Sequence, residues 1–324
     1  MLGRRTLALA ALVAAVSFNG CVNQGAPAPQ SPAAPPGASN AAATPAPARD
    51  DAADADLTRR LADICARAGG GCAVAVTHVE SGRTVSAGGD RPMPLYSVFK
   101  LPLAVAVLKG VEEGRFSLEQ KVHVEPDEAA PGVKSNSDLW RAPSDRTLHE
   151  LLEFSIARSD NTSSDKMLEL VGGPSVVTER MRALGLGDIE IRSNARDFLK
   201  SNDAHPNTGT ATDLARLLAR LQKGEVLAPP QLEVLLGLMG RAVTGNRRLR
   251  AGTPAGTPVA DKTGSGPSTT NDVGLITLPE GRGHLAVVAL VNGSKLSAEK
   301  QEDVIAELAR AAYDAAVARA SAGR

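Results

Sequence analysis

The sequence is poor in aromatic residues and in cysteine, and neither sign of charge is in excess. Its 324 residues include only five Phe, two Tyr and one Trp, so the core has to be built from many small aliphatic side chains. The 36 basic and 36 acidic residues cancel, which argues against nucleic acid or an anionic membrane surface as a partner. With 43% hydrophobic residues, the chain is long and apolar enough to bury a sizeable globular core.

The apolar run at the N-terminus is too short to span a bilayer. It covers residues 7–18 and follows two arginines, which is the pattern of a signal peptide. The next small residue, Gly20, precedes Cys21 and resembles a bacterial lipoprotein processing site, where the cysteine becomes lipidated. The alternative is an ordinary cleaved signal with an incidental cysteine. Both interpretations predict a signal over residues 1–21 and export to the periplasm or outer envelope.

A segment without large apolar side chains follows the signal. Residues 22–56 are rich in Pro, Ala and Ser, a composition that cannot form a core and predicts a disordered tether. The folded part is therefore expected at residues 57–324, a length that suits one compact unit or two interleaved subdomains.

Only two cysteines, Cys65 and Cys72, lie in the expected folded part. Glycines at 69–71 supply a turn between them, and an oxidising compartment allows a disulfide. Two small buried thiols are the alternative, since the sequence does not give the separation of the Cα atoms.

The histidines show no ligand-spaced pair, so no metal and no other cofactor is expected. The five are His78, His123, His149, His205 and His284.

Hydrophobic periodicity divides the folded part into a helical block between two strand-rich ends. Strands are predicted near residues 72–80, 84–88, 258–266, 271–279 and 284–293, and helices near 57–67, through 97–240 and at 297–320. The economical fold class is α+β, with an antiparallel sheet assembled from both chain ends, flanked by the terminal helices. The α/β part is expected at 57–95 and 244–324, and an inserted all-α part at 96–243.

The stretch "PLYSVFKLPLAVAVL" places Ser97 one helical turn before Lys100 at the start of an apolar helix. A serine is a poor nucleophile until a base takes its proton, and a lysine can do so when desolvation or a nearby cation lowers its pKa. If only these two residues are considered, the simpler interpretation is that Ser97 caps the helix and Lys100 lies on the surface. The helix start also offers free N–H groups that suit an oxyanion.

Two further motifs make a chance match remote. "RSDN" carries Ser159, Asp160 and Asn161, and "DKTGSG" carries Lys262, Thr263, Gly264 and Ser265. With these three motifs in this order, the chain resembles the class A serine β-lactamases of the penicillin-recognising family. Stretches such as "TNDVGLITLP" are similar to the extended-spectrum branch. The resemblance implies a β-lactamase/transpeptidase-like fold with a site between its two subdomains.

The resemblance assigns the acylation chemistry residue by residue. Ser97 attacks the β-lactam carbonyl, Lys100 accepts its proton, Ser159 passes a proton to the leaving ring nitrogen, and Asn161 orients Lys100 and the substrate amide. The backbone N–H groups of Ser97 and Ser265 are expected to form the oxyanion hole.

Substrate binding follows from the third motif. Lys262 and Thr263 are expected to hold the substrate carboxylate, and Gly264 to leave room for substrate beside the strand. Arg248 either supports the same carboxylate or is a solvated arginine. Trp140 either lines the cleft or packs inside the helical block, and packing is the preferred interpretation.

One position departs from the family. The loop glutamate that activates the deacylating water falls on Ala195 when "IEIRSNARDFLKSND" is aligned without gaps, with Asn194 just before it. Asp197 and Glu190 are the neighbouring carboxylates that could act by another path.

Two functions therefore remain open. The first is a monomeric β-lactamase with impaired turnover, whose partner is the small β-lactam substrate. The second is a penicillin-binding or sensing lipoprotein with a stable adduct, and a D,D-peptidase variant lies between them.

Overall fold

The computed structural model describes residues 48–132, 136, 138–200 and 206–322. The predicted signal peptide, Cys21, most of the tether and His205 lie outside the described residues. Within the described part, no helix is both long and apolar enough to cross a membrane.

The described residues form an α+β fold, as predicted. The strands are β1 (Gly71–His78), β2 (Thr84–Ala87), β3 (Met93–Pro94), β4 (Lys121–Val124), β5 (Ser144–Thr147), β6 (Thr208–Gly209), β7 (Val259–Gly266), β8 (Thr269–Thr277) and β9 (His284–Asn292). The helices are α1 (Ala48–Ala66), α2 (Lys100–Glu112), α3 (Leu148–Ala157), α4 (Asn161–Val171), α5 (Pro174–Ala183), α6 (Ala195–Lys200), α7 (Ala211–Gln222), α8 (Pro229–Gly240) and α9 (Ala298–Ala322).

Strands from both chain ends build one five-stranded antiparallel sheet in the order β2-β1-β9-β8-β7. Strand β9 is buried on both faces, which explains its unbroken apolar sequence "HLAVVALV". Val288 and Leu290 point into the core shared with the helical block, whereas Val287 and Val291 point into the core under the terminal helices. Each such aliphatic side chain contributes about 1.5–3 kcal/mol on burial, so the sheet is held from both sides.

Helix α1 begins at Ala48, before the predicted start of the folded part at residue 57. The last residues assigned to the tether of 22–56 are therefore helical. The physical reason is an ionic attachment, because the Asp54 carboxylate accepts hydrogen bonds from Arg83 beside β2 and from Arg319 of α9. The polar start of α1 is thus attached to the folded part by ion pairs, although it has no large apolar side chains to bury.

The block predicted as all-helical contains strands as well. Strands β4 and β5 pair antiparallel, with Lys121 opposite Thr147, and β6 pairs with β3, which lies just before the block. The sequence "KVHV" of β4 alternates polar and apolar residues, which is the period of a strand. This signal is only four residues long, and the prediction of one continuous helical block did not take it into account. Helices α2–α5, α7 and α8 lie where helical segments of the block were predicted.

Cys65 and Cys72 form a disulfide, with their Cα atoms 5.3 Å apart. The bond joins the last turn of α1 to the second residue of β1. It therefore fixes the first helix to the sheet, and the alternative of two free thiols is wrong.

We expect the Cys65→Ser/Cys72→Ser variant to lose about 2 kcal/mol of unfolding free energy, because a short loop is no longer closed in the unfolded chain. Urea unfolding with and without reductant measures this loss. Reductant should destabilise the parent protein by the same amount and leave the double variant unaffected. Equal stability of oxidised and reduced parent protein would contradict the expectation.

Candidate active site

Ser97 lies in a 3-10 turn, Tyr96–Phe99, that leads directly into α2. Tyr96 has a φ of 47°, a left-handed conformation that a bulky residue adopts only at some cost. The turn is closed by a hydrogen bond from the Val98 N–H to the Leu95 carbonyl, 3.1 Å. The serine is thus presented at the N-terminal, electropositive end of a thirteen-residue helix.

Lys100 is fully buried, and its amine points at the serine. Nζ lies 3.2 Å from Ser97 Oγ, 2.7 Å from Asn161 Oδ1 and 2.7 Å from the Ser159 carbonyl oxygen. Burial, and then the charge of Lys262, hold the pKa of Lys100 well below its usual value, although Asp160 and Asp165 act in the opposite direction. The lowered pKa of Lys100 favours the neutral amine, which is the form that can accept the serine proton.

The junction between α3 and α4 supplies Ser159 and Asn161. Ser159 has a φ of 57°, and Asp160 caps α4 by accepting a 2.7 Å hydrogen bond from the Ser163 N–H. Trp140 is buried and donates its Nε1–H to Asp160 at 3.2 Å. The packing interpretation of Trp140 is therefore supported, since the indole holds the cap that directs the residues on either side of it.

Lys262 on β7 contacts the Ser159 hydroxyl. Its buried Nζ lies 3.1 Å from Ser159 Oγ and 2.9 Å from the Thr263 carbonyl oxygen. Burial lowers the pKa of Lys262 to about 7, with Asp261 and Asp272 opposing the shift and Arg248 adding to it. Ser159 Oγ is also 3.4 Å from Lys100 Nζ, so one hydroxyl bridges two amines.

Arg248 is buried, so its interpretation as a solvated arginine is wrong. Its guanidinium donates to Ser265 Oγ at 2.7 Å and to the Asn271 carbonyl at 2.9 Å, and it pairs with Glu302 at 3.1 Å. Thr263 lies on the same face of β7 as Ser265, and its Oγ1 is 2.7 Å from Thr244 Oγ1. These contacts place a cation and a hydroxyl beside Ser265.

The role expected for Gly264 needs correction. A Cβ at this position would lie 2.4 Å from the Leu95 carbonyl oxygen and 3.2 Å from the Val98 nitrogen. The missing side chain therefore lets β7 pack directly on the 3-10 turn of the serine, and the space it leaves faces that turn.

A cleft brings together five of the sequence-predicted residues: Ser97, Asn161, Asn194, Ala195 and Ser265. Its lining consists of Tyr96, Ser97, Phe99, Asn161, Asn194, Ala195, Phe198, Leu199, Pro206, Asn207 and Ser265. Among these described lining residues there is no carboxylate, imidazole or amine, and the wall that includes Ala195, Phe198 and Leu199 is largely apolar. The cleft thus contains Ala195 and Asn194, the aligned position and its neighbour, but neither Asp197 nor Glu190.

The two neighbouring carboxylates are directed elsewhere. Glu190 pairs with Arg182 and Arg192, and Asp197 is exposed on α6. Asn194 uses its side-chain oxygen to accept the Asp197 N–H at 2.7 Å, so its amide caps the start of α6.

Asp165 holds the backbone at the aligned position and was not found from the sequence. Its two carboxylate oxygens accept the N–H groups of Ala195 at 2.7 Å and Arg196 at 2.9 Å. Burial raises the pKa of Asp165 to about 6, against these hydrogen bonds and the charge of Lys100. Its place on α4, one turn beyond Asn161, is the signal that could have identified it.

Comparisons with known proteins agree with this geometry. Residues 56–316 match the model of the Beta-lactamase enzyme family. The chain belongs to that family. The extended-spectrum β-lactamase PER-1 of Pseudomonas aeruginosa is 32% identical over 242 residues, which is 71% of this chain and 77% of the relative.

Solved β-lactamases share the fold. A β-lactamase from Chitinophaga pinensis aligns with a TM-score of 0.77 at 33% identity, covering 81% of this chain and 99% of that structure. An ancestral class A β-lactamase aligns with a TM-score of 0.73 at 32% identity, covering 80% and 99%. The chain is therefore a class A member of the β-lactamase family.

The raised pKa of Asp165 predicts a pH-dependent stability. The Asp165 carboxyl group has a pKa of 3.8 in the unfolded chain and about 6 in the folded protein. Its contribution to the free energy of unfolding is therefore complete below pH 3.8 and is lost as the pH rises through about 6. Relative to Asp165→Asn, the parent protein should lose about 2–3 kcal/mol of unfolding free energy between pH 4 and pH 7. Denaturant unfolding at several pH values measures this, with Asp90→Asn at an exposed site as the control. A pH-independent difference between parent and Asp165→Asn would contradict it.

Proposed function

We propose that this chain opens β-lactams by acylating Ser97 and then hydrolyses the resulting ester slowly. The observation that carries the proposal is the buried Lys100 amine, 3.2 Å from Ser97 Oγ and with a lowered pKa. The relatives named as β-lactamases support the substrate class.

The acylation step uses the two amines around Ser159. Ser97 Oγ attacks the ring carbonyl carbon and gives its proton to Lys100 Nζ. The C–N bond of the ring then breaks, and the departing nitrogen takes the proton of the Ser159 hydroxyl. The Ser159 hydroxyl regains a proton from Lys100 or Lys262, because both amines contact its Oγ. The oxyanion is assigned to the N–H groups of Ser97 and Ser265, at the helix start and on β7.

The carboxylate of the substrate is assigned to β7. Lys262 provides a cation, Thr263 a hydroxyl, and Arg248 a second guanidinium charge next to Ser265. Since the pKa of Lys262 is about 7, its charge is retained at lower pH and lost as the pH rises through that value. Binding of a carboxylate favours the charged form.

At the aligned position, Ala195, the described part of the cleft has no base for hydrolysis of the ester, where the family resemblance leads us to expect a glutamate. A positioned general base contributes ~10²–10⁴-fold to the step it serves, and the aligned position carries the methyl group of Ala195. The same observation favours the alternative of a penicillin-binding or sensing lipoprotein, or a D,D-peptidase-like variant, whose adduct is the end state. Hydrolysis removes antibiotic catalytically and confers resistance, whereas trapping removes it stoichiometrically.

We further propose that the protein is exported and acts as a monomer in the periplasm or outer envelope, with a lipid anchor at Cys21. The signal pattern of residues 1–21 and the Pro- and Ala-rich sequence that follows support this location.

Ala195→Glu should accelerate hydrolysis of the acyl-enzyme by ~10²–10⁴-fold, because it restores a carboxylate beside Ser97. Intact mass followed after mixing with benzylpenicillin, together with loss of a chromogenic cephalosporin, measures the change. Ala195→Gln is the matched control of similar size without a base. No gain with glutamate would show that the alignment of this loop is wrong, and fast turnover of the parent protein would exclude the trap.

Lys100→Ala should reduce the rate constant of acylation by ~10²–10⁴-fold while leaving the protein folded, since a buried amine is costly to desolvate. Stopped-flow mixing or intact mass with benzylpenicillin measures the rate. Lys109→Ala, on the same helix but paired with Glu112 near the surface, is the control and should acylate normally. Ser97→Ala should form no adduct at this position, and an unchanged rate in Lys100→Ala would overturn the mechanism.

A further inference from the structure

Two carboxyl groups lie fully buried beneath the carboxylate-binding strand. Asp261 on β7 and Asp272 on β8 each have 0% of their surface exposed. Thr263 is opposite Asp272 and Asp261 is opposite Gly274 in the antiparallel register. Because side chains alternate between faces, both aspartates lie on the face opposite to the Lys262 side chain, as diagonal neighbours.

The two carboxyl groups meet beneath Gly245. A Cβ built at this glycine would lie 3.0 Å from Asp261 Oδ2 and 3.5 Å from Asp272 Oδ2. Gly274 also lets Asp261 approach, because a Cβ there would be 2.9 Å from the Asp261 Cβ. Two glycines therefore make room for a carboxyl pair.

Each carboxyl group has one oxygen with a donor and one without. Asp261 Oδ1 accepts from the Arg250 guanidinium, and Asp272 Oδ2 accepts the Leu249 N–H at 3.1 Å. Asp261 Oδ2 and Asp272 Oδ1 are buried without a hydrogen-bond partner in the described part of the chain. Two ionised carboxylates this close would repel, and an unpaired buried acceptor costs about 1–3 kcal/mol.

We propose that Asp261 and Asp272 share one proton, and that the single negative charge of the pair positions Lys262 as a cation for the substrate carboxylate. A proton held in a hydrogen bond between the two carboxyl groups removes the repulsion. The second part of the proposal rests on the proposed function, and the first part does not.

The surrounding charges fit one negative charge on the pair. Arg250 and Arg248 face it from the segment before β7, Lys262 adjoins it on the strand, and Glu302 of α9 neutralises Arg248. Burial, followed by the charge of Asp261, raises the pKa of Asp272 well above its usual value. The pKa of Asp261 is also raised by burial, against the charge of Arg250. Both aspartates in turn oppose the lowering of the Lys262 pKa.

Two isosteric variants separate the proton from the charge. In Asp272→Asn an amide N–H can replace the shared proton, and the charge stays on Asp261. In Asp261→Asn the remaining carboxyl group, Asp272, has among the described residues no contact like that of Asp261 with Arg250, and it keeps its proton because burial raises its pKa. The negative charge of the pair is then removed, so the pKa of Lys262 should fall. We expect Asp261→Asn to lower the acylation rate with benzylpenicillin by at least tenfold at pH 7.5 and to move the alkaline limb of the pH profile down by about one pH unit. Asp272→Asn, as the conservative variant, should keep that limb in place.

The methyl ester of benzylpenicillin provides the matched substrate, because it has no carboxylate for Lys262. Asp261→Asn should acylate with the ester at a rate within about threefold of the parent protein. Two results would overturn the role of the pair in positioning Lys262. One is an equal loss of acylation rate with benzylpenicillin and its methyl ester in Asp261→Asn. The other is an equal shift of the alkaline limb in Asp261→Asn and Asp272→Asn.

Infrared difference spectroscopy tests the shared proton directly. The parent protein minus Asp272→Asn should show the carbonyl stretch of a buried protonated carboxyl group at pH 7, and its absence would overturn the shared proton. This measurement needs no substrate and no Asp261 variant. If no β-lactam acylates the parent protein, the proposed function fails, and the infrared result still decides the state of the pair.

Discussion

The site depends on keeping two lysine amines buried around a single hydroxyl. Lys100 Nζ and Lys262 Nζ both contact Ser159 Oγ, and both lysines are fully buried. Removing an ammonium group from water costs several kcal/mol, and two neighbouring cations add repulsion. The fold lowers this cost by letting an amine lose its proton, and an amine that has lost its proton is a base. The energetic cost of burial and the reactivity proposed for Ser97 therefore have the same cause.

This arrangement requires rigid support from elements that are distant in the chain. The 3-10 turn brings Ser97, the α3–α4 junction brings Ser159 and Asn161, and β7 brings Lys262. The missing side chain of Gly264 lets β7 lie directly against the serine turn. The positive φ angles of Tyr96 and Ser159 store strain that only a well-packed surrounding can hold. The two cores on either side of the sheet supply that packing.

Local sequence signals predicted most of the elements and the residues that the structure brings together around Ser97, whereas contacts between distant segments stayed hidden. The apolar run of β9 and the Ser97–Lys100 pair are each encoded within a few residues, so the sheet and the helix start could be inferred. The pairing of Asp54 with Arg83 and Arg319 joins α1 to the turn before β2 and to α9, and no local pattern indicates that α1 extends to Ala48. Asp165 and Asp272 likewise acquire their roles only when a loop or a neighbouring strand closes over them.

The two proposed chemical steps depend on different parts of the structure, and this allows one to change without the other. The residues proposed for acylation are fixed by the sheet and the helical core. The Ala195 position lies at the start of a six-residue helix whose backbone is held by the Asp165 carboxylate. These hydrogen bonds use main-chain N–H groups and are independent of the side chain at 195. The side chain at 195 can thus differ without loss of these two hydrogen bonds, and under the proposed function this separates the capture of a substrate from its release.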